Sequence, residues 1–120
     1  MAVHNDLGKQ GEEEALSYLR KKGYKFICSN YRFKHLEIDL IMRKADQLIV
    51  VEVKTRSSNG VSNPETAVNR KKQKQLIRAT NQYIQEKNID LDVRFDIISL
   101  VGSSGKWKIN HMEDAFYPIL

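Results

Sequence analysis

The chain has 120 residues, 41% of them hydrophobic and 29% charged, with a formal charge of +5. That length supports one domain with a real core, no apolar run is long enough to span a bilayer, and the positive balance points toward a polyanionic partner. The N-terminus, Met1 to Asp6, lacks a charged segment followed by an apolar one, and the lone Cys28 excludes an internal disulfide. Both features fit a cytoplasmic protein, and Cys28, in a strand-like run, is expected to be a buried structural thiol.

The first predicted element is a helix over residues 7–22, with Asn5 or Asp6 able to cap it and Gly23 able to end it. Its apolar stripe includes Ala15, Leu16 and Leu19, with Gly8 and Gly11 allowing close backbone approach. Helical phase separates the run of acids that follows Gly11: Glu12 shares the stripe, while Glu13 and Glu14 turn toward solvent. A carboxylate on a core-facing stripe needs a partner, because an unpaired buried charge is costly.

Three strands follow, over residues 25–33, 36–43 and 48–56. The second and third read as a hairpin turning around Lys44-Ala45-Asp46-Gln47. A loop centred on Ala45 and Asp46 sets Asp39 opposite Glu52 and Glu37 opposite Lys54. It also sets Ile38, Leu40 and Met42 opposite Val53, Val51 and Ile49, so one face is apolar and the other carries Asp39, Glu52 and Lys54. A slip of one residue would mix the faces, which favours this register.

After a polar loop from Ser57 to Ser62, Asn63-Pro64-Glu65 has the makings of a helix start, and the helix is expected to reach Glu86 or Lys87. Its packing stripe is Leu76, Thr80, Tyr83 and Ile84, and its first half is rich in cations. A strand over 93–101, a turn at Gly102-Ser103-Ser104-Gly105 and a short strand near Trp107 to Asn110 close the chain. The tail Asp114-Ala115-Phe116-Tyr117 is expected to pack on the core. The order is α-β-β-β-α-β-β, and the helical connection after residue 56 is long enough for a right-handed parallel crossover. The expected fold is therefore α/β: a central mixed sheet flanked by helices, in a single domain over 1–120.

Asp39, Glu52 and Lys54 form an Asp-x12-Glu-x-Lys pattern on adjacent strands. Two carboxylates facing each other repel unless a cation lies between them, and oxygen ligands suit Mg²⁺ or Mn²⁺. Such an ion beside a phosphodiester can activate water and stabilise the transition state. Lys54 can orient the water, help deprotonate it, or neutralise developing charge. Glu12 can complete the metal shell directly or through water. On many strand faces an Asp-Glu-Lys group is only a solvated salt-bridge cluster. Against that stand the buried character of Leu48-Ile49-Val50-Val51, the inward phase of Glu12, and the basic helix that follows. Arg56, Arg70, Lys71, Lys72, Gln73 and Lys74 are the candidates for contacting a nucleic-acid backbone, in a salt-dependent and largely sequence-independent way. His4, His35 and His111 have no ligand spacing and are assigned ordinary surface or structural roles. Trp107 and Tyr83 are assigned to the core.

Gly11-Glu12, Tyr18-Leu19, Gly23-Tyr24, Asn30-Tyr31-Arg32, Glu37-Ile38-Asp39-Leu40-Ile41, Val51-Glu52-Val53-Lys54-Thr55-Arg56, Lys72 and Arg94-Phe95-Asp96 together resemble the YraN-like bacterial proteins. That family is assigned to the restriction-endonuclease-like PD-(D/E)XK nuclease superfamily, near the archaeal Holliday junction resolvases. The resemblance implies that fold, a Mg²⁺ site, and an active-site set of Glu12, Asp39, Glu52 and Lys54, with the Val53 carbonyl offered to the metal. Two positions depart from the pattern: His35-Leu36 stand where the family usually has glycines, and Ile38 stands where the superfamily has proline. The expected function is a metal-dependent endonuclease acting on DNA, branched or damaged DNA being the substrate the resemblance points to. The resolvase analogy also admits a homodimer. The alternatives are a nucleic-acid-binding module that keeps the fold without cleaving, and a structural adaptor in which the charges only pair with one another.

Overall fold

A computed structural model of the chain describes residues 3–57, 68–103 and 105–116. In order the elements are α1 (Val3–Lys21), β1 (Lys25–Phe33), β2 (Leu36–Lys44), β3 (Gln47–Arg56), α2 (Arg70–Lys87), β4 (Asp92–Ser103) and β5 (Lys106–Phe116). The α-β-β-β-α-β-β order and the mixed sheet are as expected. The strands lie side by side as β1-β2-β3-β4-β5. Only β3 and β4 are parallel, joined through α2, and the other neighbours are antiparallel.

Helix α1 ends because Gly23 takes φ +92. There its N–H bonds the Arg20 carbonyl and the Tyr24 N–H reaches back to the Leu19 carbonyl, which satisfies the last turn. Of the two helical glycines, only Gly11 supports a close approach: a Cβ there would collide with the Thr55 side chain of β3, whereas Gly8 faces open space.

Each helix covers one face of the sheet. Ala15 and Leu19 of α1 pack with Leu40, Met42, Ile49, Val51, Ile98 and Leu100. Leu76, Ile77, Ala79 and Tyr83 of α2 pack with Ile38, Ile41, Leu48, Val50, Phe95 and Ile97. Near the hairpin both faces are therefore apolar, which corrects the expectation of one apolar and one charged face. A strand sandwiched between two helices is buried on both sides. The alternation also breaks. Leu40 lies under α1, yet Ile38 joins Ile41 on the α2 side. The break lies opposite Asn30 of β1, which takes φ +52 between the pairs Ser29↔Leu40 and Tyr31↔Ile38.

The expected helix start at Asn63-Pro64-Glu65 and most of the preceding loop lie outside the described residues. The described helix begins at Arg70, after non-helical Val68 and Asn69. Asn69 is the cap, its side chain accepting from the Lys72 N–H at 2.8 Å. Strand β5 is much longer than expected and absorbs part of the presumed tail. Phe116 pairs with Phe95 across it and stacks on that ring at 4.9 Å between centroids. Cys28 is half-buried on edge strand β1, more accessible than anticipated.

Candidate active site

The β2–β3 ladder runs from Lys44↔Gln47 to Leu40↔Val51, around a two-residue turn in which Ala45 takes φ +54. The next residues, Asp39 and Glu52, sit where that ladder ends. The Val53 N–H is taken by Asp39 Oδ2 at 2.8 Å, so the carboxylate replaces a backbone acceptor. Strand β3 continues in register with β4 on its other side, Glu52 beside Ile97 and Lys54 beside Ser99. The site thus opens at a fork between two strands whose other halves are locked into the core.

Burial dominates the electrostatics there. It pushes the Asp39 carboxyl up from an ordinary 3.8 to about 7, helped by repulsion from Glu52 and opposed by the Val53 N–H and by Lys72. Burial raises Glu52 as well, while the Lys72 and Lys54 charges and a hydrogen bond with Asp39 pull it down. Burial thus raises both carboxyls, which titrate as a pair. The Glu52 side chain is 12% exposed, and its Oε2 lies 3.7 Å from Lys72 Nζ. Its Oε1 is buried and has no hydrogen-bond partner among the described residues. Such an orphan lone pair is expensive in a folded protein unless something binds it.

The four residues singled out for catalysis do not all converge. Asp39 and Glu52 are in mutual contact, and Lys54 is close enough for its charge to act on Glu52. Glu12 projects from α1, on the opposite face from α2. Its Oε1 accepts from Asn30 Nδ2 at 3.3 Å. Its carboxyl is raised, mainly by burial, with contributions from the Asp39 and Glu37 charges. Glu12 is thus near enough to sense Asp39. Yet among the described residues no three His, Cys, Asp or Glu side chains gather as a ready-made metal cluster. A two-carboxylate site still fits Mg²⁺, which commonly takes one or two carboxylates and completes its shell with water and substrate phosphate. Glu52 Oε1, without a hydrogen-bond partner among the described residues, is the ligand atom such an ion would use. Glu37, beyond the end of the β2–β3 ladder, lies 3.9 Å from exposed Arg32.

The basic segment divides by role. Arg70, Lys71 and Lys74 are exposed on α2, and Arg56 is half-buried at the end of β3. Gln73 is used structurally, its Nε2 donating to the Val68 carbonyl at 2.8 Å. Lys72 is paired with a site carboxylate, that of Glu52.

Two features escaped the sequence reading. Ser99 Oγ is buried without a partner among the described residues, beside Lys54 in the β3–β4 register. Its one sequence signal was a hydroxyl inside the apolar run Ile97-Ile98-Ser99-Leu100. The second is a polar network under the C-terminal half of α1. The fully buried Asp96 carboxylate accepts from Arg94 Nε at 2.9 Å and Nη2 at 2.8 Å, and from the Asp114 N–H at 3.1 Å. His111 Nε2 lies 2.7 Å from it, and His111 Nδ1 lies 3.2 Å from the Tyr18 hydroxyl. Lys22 donates to that hydroxyl, and the two ring nitrogens of His111 bridge it to Asp96. Burial alone would raise Asp96, but the bonds from His111, Arg94 and Asp114 outweigh it and hold the carboxyl below its usual range. His111 is therefore structural and buried, while His35 is exposed as expected and the His4 side chain lies outside the description. Tyr83 is buried in the core, as assigned, and Trp107 packs partly buried against the α1-side cluster.

A family model described as "Uncharacterised protein family UPF0102" matches residues 11–100, a stretch that contains Glu12, Asp39, Glu52, Lys54, Lys72 and Ser99. A "UPF0102 protein" of Parabacteroides distasonis is 48% identical over 117 residues, covering 98% of this chain and 97% of the relative. One from Christiangramia forsetii is 45% identical over 117 residues, covering 98% of both. One from Bacteroides thetaiotaomicron is 45% identical over 120 residues, covering 100% of this chain and 99% of the relative.

Proposed function

The chain belongs to the UPF0102 family, and from the geometry at its strand fork we propose that it is a divalent-metal-dependent endonuclease hydrolysing phosphodiesters in DNA. Branched or damaged DNA is the proposed substrate class, resting on the resemblance to junction resolvases. The observation that carries the proposal is the half-buried Asp39–Glu52 pair, whose carboxyls burial pushes up, with a buried, partnerless oxygen on Glu52 among the described residues. Such a pair is destabilising in an adaptor and useful to a cation site.

Asp39 and Glu52 would hold Mg²⁺ or Mn²⁺, with the Val53 carbonyl as the further ligand that the resemblance implies. The ion would neutralise phosphate charge and lower the pKa of a bound water. Lys54, two residues along β3, would orient the attacking water or offset charge on the phosphate oxygens. Glu12 approaches from the α1 side and acts through an intervening water. Arg56, Arg70, Lys71 and Lys74 hold the DNA backbone by charge, without reading sequence.

The test is incubation with Mg²⁺ or Mn²⁺ and a panel of linear, nicked, flapped and four-way DNAs, beside Asp39→Asn and Lys54→Ala. Cleavage by the wild type that both variants lose supports the proposal. Cleavage that both retain removes this site from the chemistry, and binding without cleavage at any metal favours a non-catalytic nucleic-acid-binding module.

A further inference from the structure

Lys72 is an unusual neighbour for a metal site. It comes from the first turn of α2, its backbone N–H fixed by the Asn69 cap, so its Cα is held while its side chain extends over the fork. Its Nζ stands 3.7 Å from Glu52 Oε2. That is beyond a charge-assisted hydrogen bond, which would be near 2.8 Å, so the attraction is through space. The Lys72 side chain is 36% exposed while Glu52 is 12% exposed, so the cation keeps part of its hydration as the anion loses most of its own. The contact covers only one carboxylate oxygen and leaves Oε1 bare. A long, flexible stem carrying a compact charge can leave such a position without disturbing the backbone.

We propose that Lys72 is the resident counter-ion of the Asp39–Glu52 pair, displaced when a divalent cation enters and then released toward the substrate phosphate. This rests on the metal-site reading above and adds a division of labour between two lysines. Lys54, on β3, serves the reacting centre. Lys72, on α2, keeps the empty site electrically balanced and becomes a phosphate contact once the site is loaded. No bond is made or broken in the exchange: one cation leaves the carboxylates as another arrives.

Manganese affinity measured by calorimetry at pH 8.5, without DNA, tests this on wild type, Glu52→Gln, Lys72→Arg and Lys72→Met, each checked for folding by thermal melt. Competition predicts that Lys72→Met binds Mn²⁺ more tightly than wild type, on the order of threefold to tenfold for a half-exposed pair. Lys72→Arg, which keeps the charge, stays below Lys72→Met in affinity. Glu52→Gln binds weakly or not at all. Equal or weaker Mn²⁺ binding by Lys72→Met overturns the counter-ion role while leaving the metal site standing. Wild type that binds no better than Glu52→Gln overturns the metal-site reading, and this inference with it.

Discussion

Replacing Asp39 with asparagine removes a charge from a place where burial and Glu52 both oppose it, so the protein should become more stable at pH 8. The carboxyl titrates near 7 in the folded chain against an ordinary 3.8. Between those values the native state holds more protons than the unfolded state, so stability falls as pH rises, and the whole cost is present above about 7. At about 1.4 kcal/mol per pKa unit the ceiling is about 4 kcal/mol, and about 1–3 kcal/mol remains after allowing for relaxation and solvent around the pair. Asparagine keeps the shape and can still accept from the Val53 N–H, so little packing is lost. Urea unfolding in EDTA at pH 4.5 and pH 8 measures the difference. The variant should match wild type within about 0.5 kcal/mol at the lower pH and exceed it at the higher one. Addition of Mg²⁺ at pH 8 should narrow that gap by stabilising wild type alone. A variant less stable than wild type at pH 8, or a gap independent of pH, would refute the idea that the site stores electrostatic strain.

Other substitutions probe the frame around the site. Gly11→Ala drives a methyl into Thr55 and should cost roughly 1–3 kcal/mol by denaturant melt, with Thr55→Ala in the same chain recovering part of it. Asp96→Ala leaves Arg94 and His111 facing an empty position and should cost on the order of 3–5 kcal/mol. Because the native Asp96 carboxyl lies below its usual value, its contribution is complete above about pH 4 and fades as pH falls further. The stability gap between wild type and Asp96→Asn should shrink over that range in acid titrations followed by circular dichroism.

That Asp39 and Glu52 come close together was legible because the turn and the apolar pattern agree on the register leading up to them. The turn at Ala45-Asp46 sets the hairpin, and the match of Leu40 to Val51 and Met42 to Ile49 fixes its register. Glycine chemistry likewise foretold the end of α1 at Gly23. The pleat reversal at Asp39 was not legible, since nothing local announces that Asn30 adopts positive φ in the middle of a strand. Nor was the Asp96 network, whose partners come from α1, β4 and β5 and meet only after the sheet is assembled. Lys72 was visible as one more cation in a basic run. Only the approach of α2 to β3 separates it from Lys71 and Lys74 by placing it against Glu52. Strand β5 was underestimated because alternation in Lys106-Trp107-Lys108-Ile109-Asn110 gives way to the polar stretch Glu113-Asp114, which reads as a tail until Phe116 is seen against Phe95.

We propose that the strand fork binds a divalent cation through Asp39 and Glu52. An anomalous-difference map from crystals of the wild-type protein grown with Mn²⁺ tests it most directly. A peak is expected within bonding distance of both carboxylates, touching Glu52 Oε1, with Lys72 Nζ moved away from Oε2. Crystals of the folded protein with no peak at the fork at saturating Mn²⁺, and with Lys72 still against Glu52, would contradict it.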